Sequence, residues 1–142
     1  MDIQFFAQGC RMRLSKVQQS HVEAWIEQTV LAEKYVAGDI NIILCHDDYL
    51  IDINRQYLNH DYPTDIITFD NTELGIFAGE LFISVDTVKE NAKRFETSFE
   101  DELHRVIIHG VLHLLKYDDT NDEQQAEMTS KENFYLERLK DE

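Results

Sequence analysis

The chain has 142 residues, 43 % of them hydrophobic, with one proline and five glycines; that fits one globular domain over residues 1–142 and excludes a disordered or fibrous chain. Against 28 aspartates and glutamates stand 13 lysines and arginines, a formal net charge of −15, which opposes loose, charge-driven attachment to phosphate backbones or anionic membranes. Cys10 and Cys45 lack metal-type spacing and read as buried or free thiols. No basic-then-apolar leader or run of ~18 apolar residues is present, so a reducing, cytoplasmic location away from membranes is expected.

In chain order, Ile3–Phe6 is a short apolar strand. Ser15 or Ser20 caps a first helix whose apolar stripe is Val22, Trp25, Ile26 and Val30, and Gly38 ends it. Asp39–Cys45 is β-branched and apolar and suits a buried strand. A helix follows over Asp47–Leu58, then a turn over Asn59–Pro63. Thr64–Phe69 and Gly79–Ser84 are strands whose short connection favours antiparallel pairing, because a parallel crossover needs a dozen or more residues. The earlier strands alternate with helices, which suggests parallel or mixed pairing. From Asp86 onward the pattern is helical. Ser98 caps a helix over Phe99 to about Lys116, and Asn121 caps a last one running towards Lys140. The sum is an α+β domain, a small mixed sheet of about four strands covered by helices.

The chemistry concentrates between positions 109 and 119. His109 and His113 are four residues apart, which on a helix puts both rings on one face, one turn apart. Leu103, Ile107, Gly110, Val111 and Leu114 make a broad apolar side, extended by Ile108, Leu112 and Leu115, so this helix is buried and its histidines need partners. A single buried histidine would read as structural. Two in register, with an acid-rich turn after them, read as ligands to one zinc ion. Asp119 lies six residues past His113, where a chain reversal near Lys116–Tyr117 brings it back to the same ion. Two histidines and one carboxylate leave an open position, the mark of a catalytic site. The spacing is that of H-E-x-x-H, but Gly110 stands where that motif places the general base of a peptidase. Glu102, seven residues before His109 on the same face, is either a base, a partner to a ligand, or a solvated first-turn acid.

The segment His109–Asp119 resembles the H-G-x-L-H-L-x-G-Y-D-H motif of the YbeY family of bacterial metal-dependent endoribonucleases. Asn54–Phe69 is similar to that family's N-x-x-Y-R-x-x-D-x-P-T-D-V-L-S-F pattern, and Gly79–Ser84 to its G-D-I-x-I stretch. The resemblance implies a compact α+β fold, one zinc held by three side chains, and hydrolysis of single-stranded RNA. It also implies roles in ribosomal RNA maturation and ribosome quality control, alongside ribosome-associated proteins. Three positions depart from the pattern. Asp119 replaces the third histidine, which keeps a normal zinc ligand but lowers the net charge at the ion. Lys116 replaces a glycine, at about 1–2 kcal/mol if φ is positive there. Leu58 replaces an arginine, so phosphate contacts fall to Arg55, Arg105 or Lys116. For proton transfer the candidates are Glu102 and Asp65. Two other readings stay open: a zinc-stabilised module that binds ribosomes or another protein without catalysis, and a zinc peptidase, against which Gly110 counts. His21, His46, His60 and His104 have no ligand spacing and read as structural or exposed.

Overall fold

The computed structural model describes residues 2–58 and 64–140; the turn expected over Asn59–Pro63, and His60 within it, lie outside the described residues. The order of elements is β1 (Asp2–Gln8), α1 (Lys16–Ala32), β2 (Val36–Cys45), α2 (Asp47–Leu58), β3 (Ile66–Asp70), β4 (Ile76–Ser84), α3 (Val85–Arg94), α4 (Phe99–Leu114) and α5 (Asp122–Lys140). The four strands form one sheet in the order β1-β2-β4-β3. β1 and β4 both run parallel to β2. β3 pairs antiparallel with β4, Ile66 opposite Ile83 and Asp70 opposite Gly79, the hairpin pairing expected from the short connection.

The sheet separates two cores. Ile40, Ile42, Leu44, Phe77, Leu81 and Ile83 pack with Trp25 and Ile26 of α1, Val88 of α3, Ile107 and Val111 of α4, and Met128 and Tyr135 of α5. On the other face Cys45 and Ile67, flanked by Phe69 and Phe82, pack with Leu50 and Ile53 of α2. This follows from strand alternation, since neighbouring residues along β3 and β4 point to opposite faces. Cys10 and Cys45 are free and buried, and burial pushes the Cys45 thiol up to about 12. Among the described residues no helix is long and apolar enough to cross a membrane.

Ser15, not Ser20, caps α1, in a reciprocal box: Gln18 N donates to Ser15 Oγ at 3.1 Å and Ser15 N to Gln18 Oε1 at 2.8 Å. Gly38 does not end that helix. The chain leaves α1 at Glu33 and reverses at Lys34, whose φ is 68°, and the amide of Tyr35 closes the end on the Val30 carbonyl at 3.0 Å. Gly38 lies within β2 at a register shift, where a Cβ would stand 2.7 Å from the Phe77 carbonyl oxygen. It is a glycine for close backbone approach, not for a helix stop.

Helix α4 positions the site. Ser98 caps it, accepting from Asp101 N at 3.0 Å, and acids at 100, 101 and 102 fill its first turn. Gly110 faces the sheet: a Cβ there would lie 2.6 Å from Ile66 Cδ1 and 3.0 Å from Leu81 Cδ2. The helix therefore rides close on β3 and β4, and a side chain at 110 would have to displace the ends of Ile66 and Leu81. The helix ends at Leu115, and Lys116 takes φ 78°, so this chain does place a lysine where the left-handed region favours glycine. The amides of Lys116 and Tyr117 close on the carbonyls of His113 and Leu112, each at 3.0 Å.

Candidate metal centre

The reversal at Lys116 carries the chain back beside the last turn of α4. His109 and His113 stand with ring centroids 4.6 Å apart and Nε2 atoms 3.0 Å apart. Asp119 Oδ2 lies 3.5 Å from each Nε2. One ligand atom from each of the three residues falls within 4.8 Å of the others, and all three side chains are partly exposed, so the cluster opens to solvent.

The outer ring nitrogens decide what the inner ones can do. His113 Nδ1 lies 3.1 Å from the Tyr117 carbonyl oxygen, which only accepts, so Nδ1 carries the hydrogen. His109 Nδ1 lies 2.6 Å from Glu132 Oε2, which fixes the same tautomer. In neutral rings both Nε2 atoms are then lone pairs, facing each other and a carboxylate oxygen. Three acceptors converge with no donor among them, an arrangement that a cation satisfies. The donor set of two imidazoles and a carboxylate fits a divalent metal, and the outer contacts are those that orient histidine ligands. Burial lowers the affinity of His109 for a proton, but Glu132 with Asp65 and Asp119 outweighs it and raises its pKa.

Glu132 contacts the cluster directly and is not among the residues that the sequence points to. It is 7 % exposed and shares the inner stripe of α5 with Met128, Tyr135 and Leu139. An acid in an apolar stripe is the signal that marks it, since a buried carboxylate requires partners. Arg105 supplies one, with Nη1 2.8 Å from Glu132 Oε1, while its Nη2 donates to Asn133 Oδ1 at 2.8 Å.

The two proton-transfer candidates share this environment. Glu102 is 6 % exposed. Burial, then the charge of Asp65, raises its pKa, with Arg105 opposing and Glu132 adding. Asp65 precedes β3 and its carbonyl accepts from Ser84 N at 2.9 Å. Burial raises its carboxyl too, against the opposing charge of His109.

The cations considered for RNA are dispersed. Arg105 is engaged by Glu132 and Asn133, and Lys116 pairs with Asp70. Arg55 is 3.8 Å from Asp52. It lines a groove of about 740 Å³ with Tyr49, Tyr57, Phe69 and Phe82, on the face of the sheet away from α4. Leu58 closes α2. His46 pairs with Asp86 at 3.1 Å, and His104 sits edge-on to Trp25 at 5.8 Å; neither joins the cluster.

The family described as Endoribonuclease YbeY matches residues 7–140. An endoribonuclease YbeY of Parabacteroides distasonis is 44 % identical over 144 residues, covering 100 % of this chain and 99 % of the relative. One from Flavobacterium psychrophilum is 47 % identical over 112 residues, 79 % of this chain and 80 % of the relative. The solution structure of TM1509 from Thermotoga maritima superimposes with a TM-score of 0.69 at 34 % identity, covering 96 % of this chain and 88 % of that one. Likeness of sequence and of fold thus runs along nearly the whole chain, and the chain belongs to the YbeY family of endoribonucleases.

Proposed function

We propose that this protein is a zinc-dependent endoribonuclease that cleaves single-stranded RNA, acting in the cytoplasm on ribosomal RNA during its maturation and in ribosome quality control. The observation that carries the reading is the convergence of His109 Nε2, His113 Nε2 and Asp119 Oδ2, with both Nδ1 atoms already committed to acceptors, in a chain of an endoribonuclease family. These three side chains would hold one zinc ion. When bound, zinc supplies Lewis-acid activation of a phosphodiester and of water.

The protein's own part is positioning and proton handling. Glu132 and the Tyr117 carbonyl hold the imidazoles so that their lone pairs point inward. Glu102 or Asp65, both raised by burial, takes the proton of the attacking hydroxyl group, from water or from the RNA 2′ position, as its oxygen bonds to phosphorus, and gives it to the RNA oxygen that leaves as the scissile P–O bond breaks. Attack by the 2′-hydroxyl leaves a 2′,3′-cyclic phosphate and fails on a 2′-deoxy residue at the scissile position; attack by water does neither. Of the cations read from the sequence, Arg105 adjoins the centre through Glu132, which makes it the candidate for meeting RNA phosphate there.

The test is cleavage of a labelled single-stranded RNA by the purified protein, with His113→Ala prepared in parallel. Cleavage by the wild type alone supports the reading; equal cleavage by both marks a contaminating nuclease and counts against it. A second reading, a zinc-stabilised module that binds ribosomes or another protein, is favoured by Leu58 and by the ion pairs that engage Lys116 and Arg105. It expects metal removal to lower Tm while the intact protein cleaves nothing. The peptidase reading is disfavoured by Gly110, which stands where that chemistry places its glutamate base.

A further inference from the structure

One half-buried carboxylate outside the ligand set gathers three elements. Glu33, the C-cap residue of α1, has a side chain only 12 % exposed. Tyr117 Oη donates to its Oε1 at 2.5 Å. Tyr135 Oη donates to its Oε2, and Lys131 Nζ stands 3.4 Å from the same oxygen. Lys131 also lies over the Tyr117 ring, 5.7 Å from its centroid. Burial alone would raise the Glu33 carboxyl, but the two hydroxyls and the ammonium together hold it below its usual range.

The partners of Glu33 belong to the segments that orient the two histidines. The backbone carbonyl of Tyr117 receives His113 Nδ1 at 3.1 Å. Lys131 is followed in α5 by Glu132, which receives His109 Nδ1 at 2.6 Å. Trp25 Nε1 of α1 donates to the Tyr135 carbonyl at 2.8 Å, so α1 grips α5 at a second point nearby. From the end of a helix that supplies no ligand, Glu33 reaches the supports of both.

We propose that Glu33 is a positioning residue of the metal centre: it fixes the Tyr117 turn against α5 and thereby sets the directions in which His113 and His109 present their lone pairs. The proposal rests on the reading of His109, His113 and Asp119 as metal ligands. Glutamine offers one accepting oxygen and no charge, so Glu33→Gln strands one tyrosine hydroxyl and releases Lys131. Tyr117→Phe removes the hydroxyl from the other side of the same contact and disturbs the core less.

The experiment measures Zn²⁺ affinity, by competition with a chelating dye, for the wild type, Glu33→Gln, Tyr117→Phe and the double variant. The tautomers of His109 and His113 are read by nitrogen NMR on the metal-free proteins. Glu33→Gln weakens Zn²⁺ binding by up to about 10-fold, the low end of the range for partners bonded directly to metal ligands, because Glu33 acts one contact further out. Tyr117→Phe weakens it less, and the double variant falls short of the sum because one contact is lost twice. The His113 ring loses its fixed Nδ1–H form in both single variants. Should Glu33→Gln fail to fold, Tyr117→Phe decides alone. A lower Tm with unchanged Zn²⁺ affinity and unchanged tautomers overturns the proposal and leaves the metal reading standing. A wild type that binds no Zn²⁺ overturns the metal reading, and this proposal with it.

Discussion

His109 and His113 are fixed by different kinds of acceptor, a buried carboxylate and a backbone carbonyl, and the difference has consequences. A carbonyl cannot be removed by mutation, but Glu132 can. Glu132→Gln keeps an accepting oxygen yet loses the charge that Arg105 and His109 share. Zn²⁺ affinity should fall about 10–100-fold, more than for a surface acid such as Glu123, as measured by chelator competition. Glu102 gives a prediction in pH. Its folded pKa is raised above the ordinary 4.5, so the folded state binds more protons there than the unfolded one. The associated stability is complete below the ordinary value and is lost as pH rises through the folded value. Glu102→Gln should therefore raise the Tm of the metal-free protein at neutral pH and leave it nearly unchanged at pH values below the ordinary carboxyl range. The same variant should depress RNA cleavage if Glu102 handles a proton. A lower Tm at neutral pH would show instead that the carboxylate stabilises the fold.

At the scale of elements, two positions carry opposite backbone demands. Gly110 sits mid-helix, where alanine is normally better by about 1 kcal/mol. Here the gain is offset, because Ile66 and Leu81 would have to move away from a new Cβ. Gly110→Ala should destabilise the protein by about 1–3 kcal/mol, the range for overpacking, measurable by urea unfolding. Leu74 is the reverse case. It and Gly75 form the tip of the connection between β3 and β4, with φ 51° and 78°, inside the isolated bridge between Glu73 and Ile76, and Leu74 is 98 % exposed. Asparagine accepts that conformation better than leucine. Leu74→Asn should stabilise by up to about 1 kcal/mol, without touching the metal centre. These positions also show what was legible in the sequence. Caps with a side-chain oxygen, Ser15, Ser98 and Asn121, were readable as types because the capping residue itself accepts the bond. Reversals at Lys34 and Leu74 were not, because the chain there adopts a glycine-like φ without glycine; the one at Lys116 was readable only because the family pattern has glycine at that position. That is why the end of α1 was assigned to Gly38, a residue needed for strand contact. The start of β4, read at Gly79, lies at Ile76 for the same reason.

For the whole molecule, the His-x-x-x-His pair and the returning aspartate were visible because helical periodicity alone brings the histidines together. Glu132 and Glu33 were not, because their roles depend on α5 and α1 docking beside α4, contacts that join residues 23 and 84 positions apart. The charge of −15 belongs to this scale as well. A polyanion approaching an acidic protein is repelled over roughly a Debye length, about 10 Å at 0.1 M salt. Cleavage of RNA at limiting substrate should therefore hold steady or rise as salt increases from low ionic strength, unlike the steep loss when binding rests on many phosphate contacts. A steep fall would place a local cationic track on the surface. The most direct measurement of the central claim is RNA cleavage as Zn²⁺ is returned to metal-free protein. Activity that climbs to a plateau at one Zn²⁺ per chain in the wild type, and stays at baseline in His113→Ala, is the expected result. Cleavage that survives metal removal, or that His113→Ala retains, would contradict it.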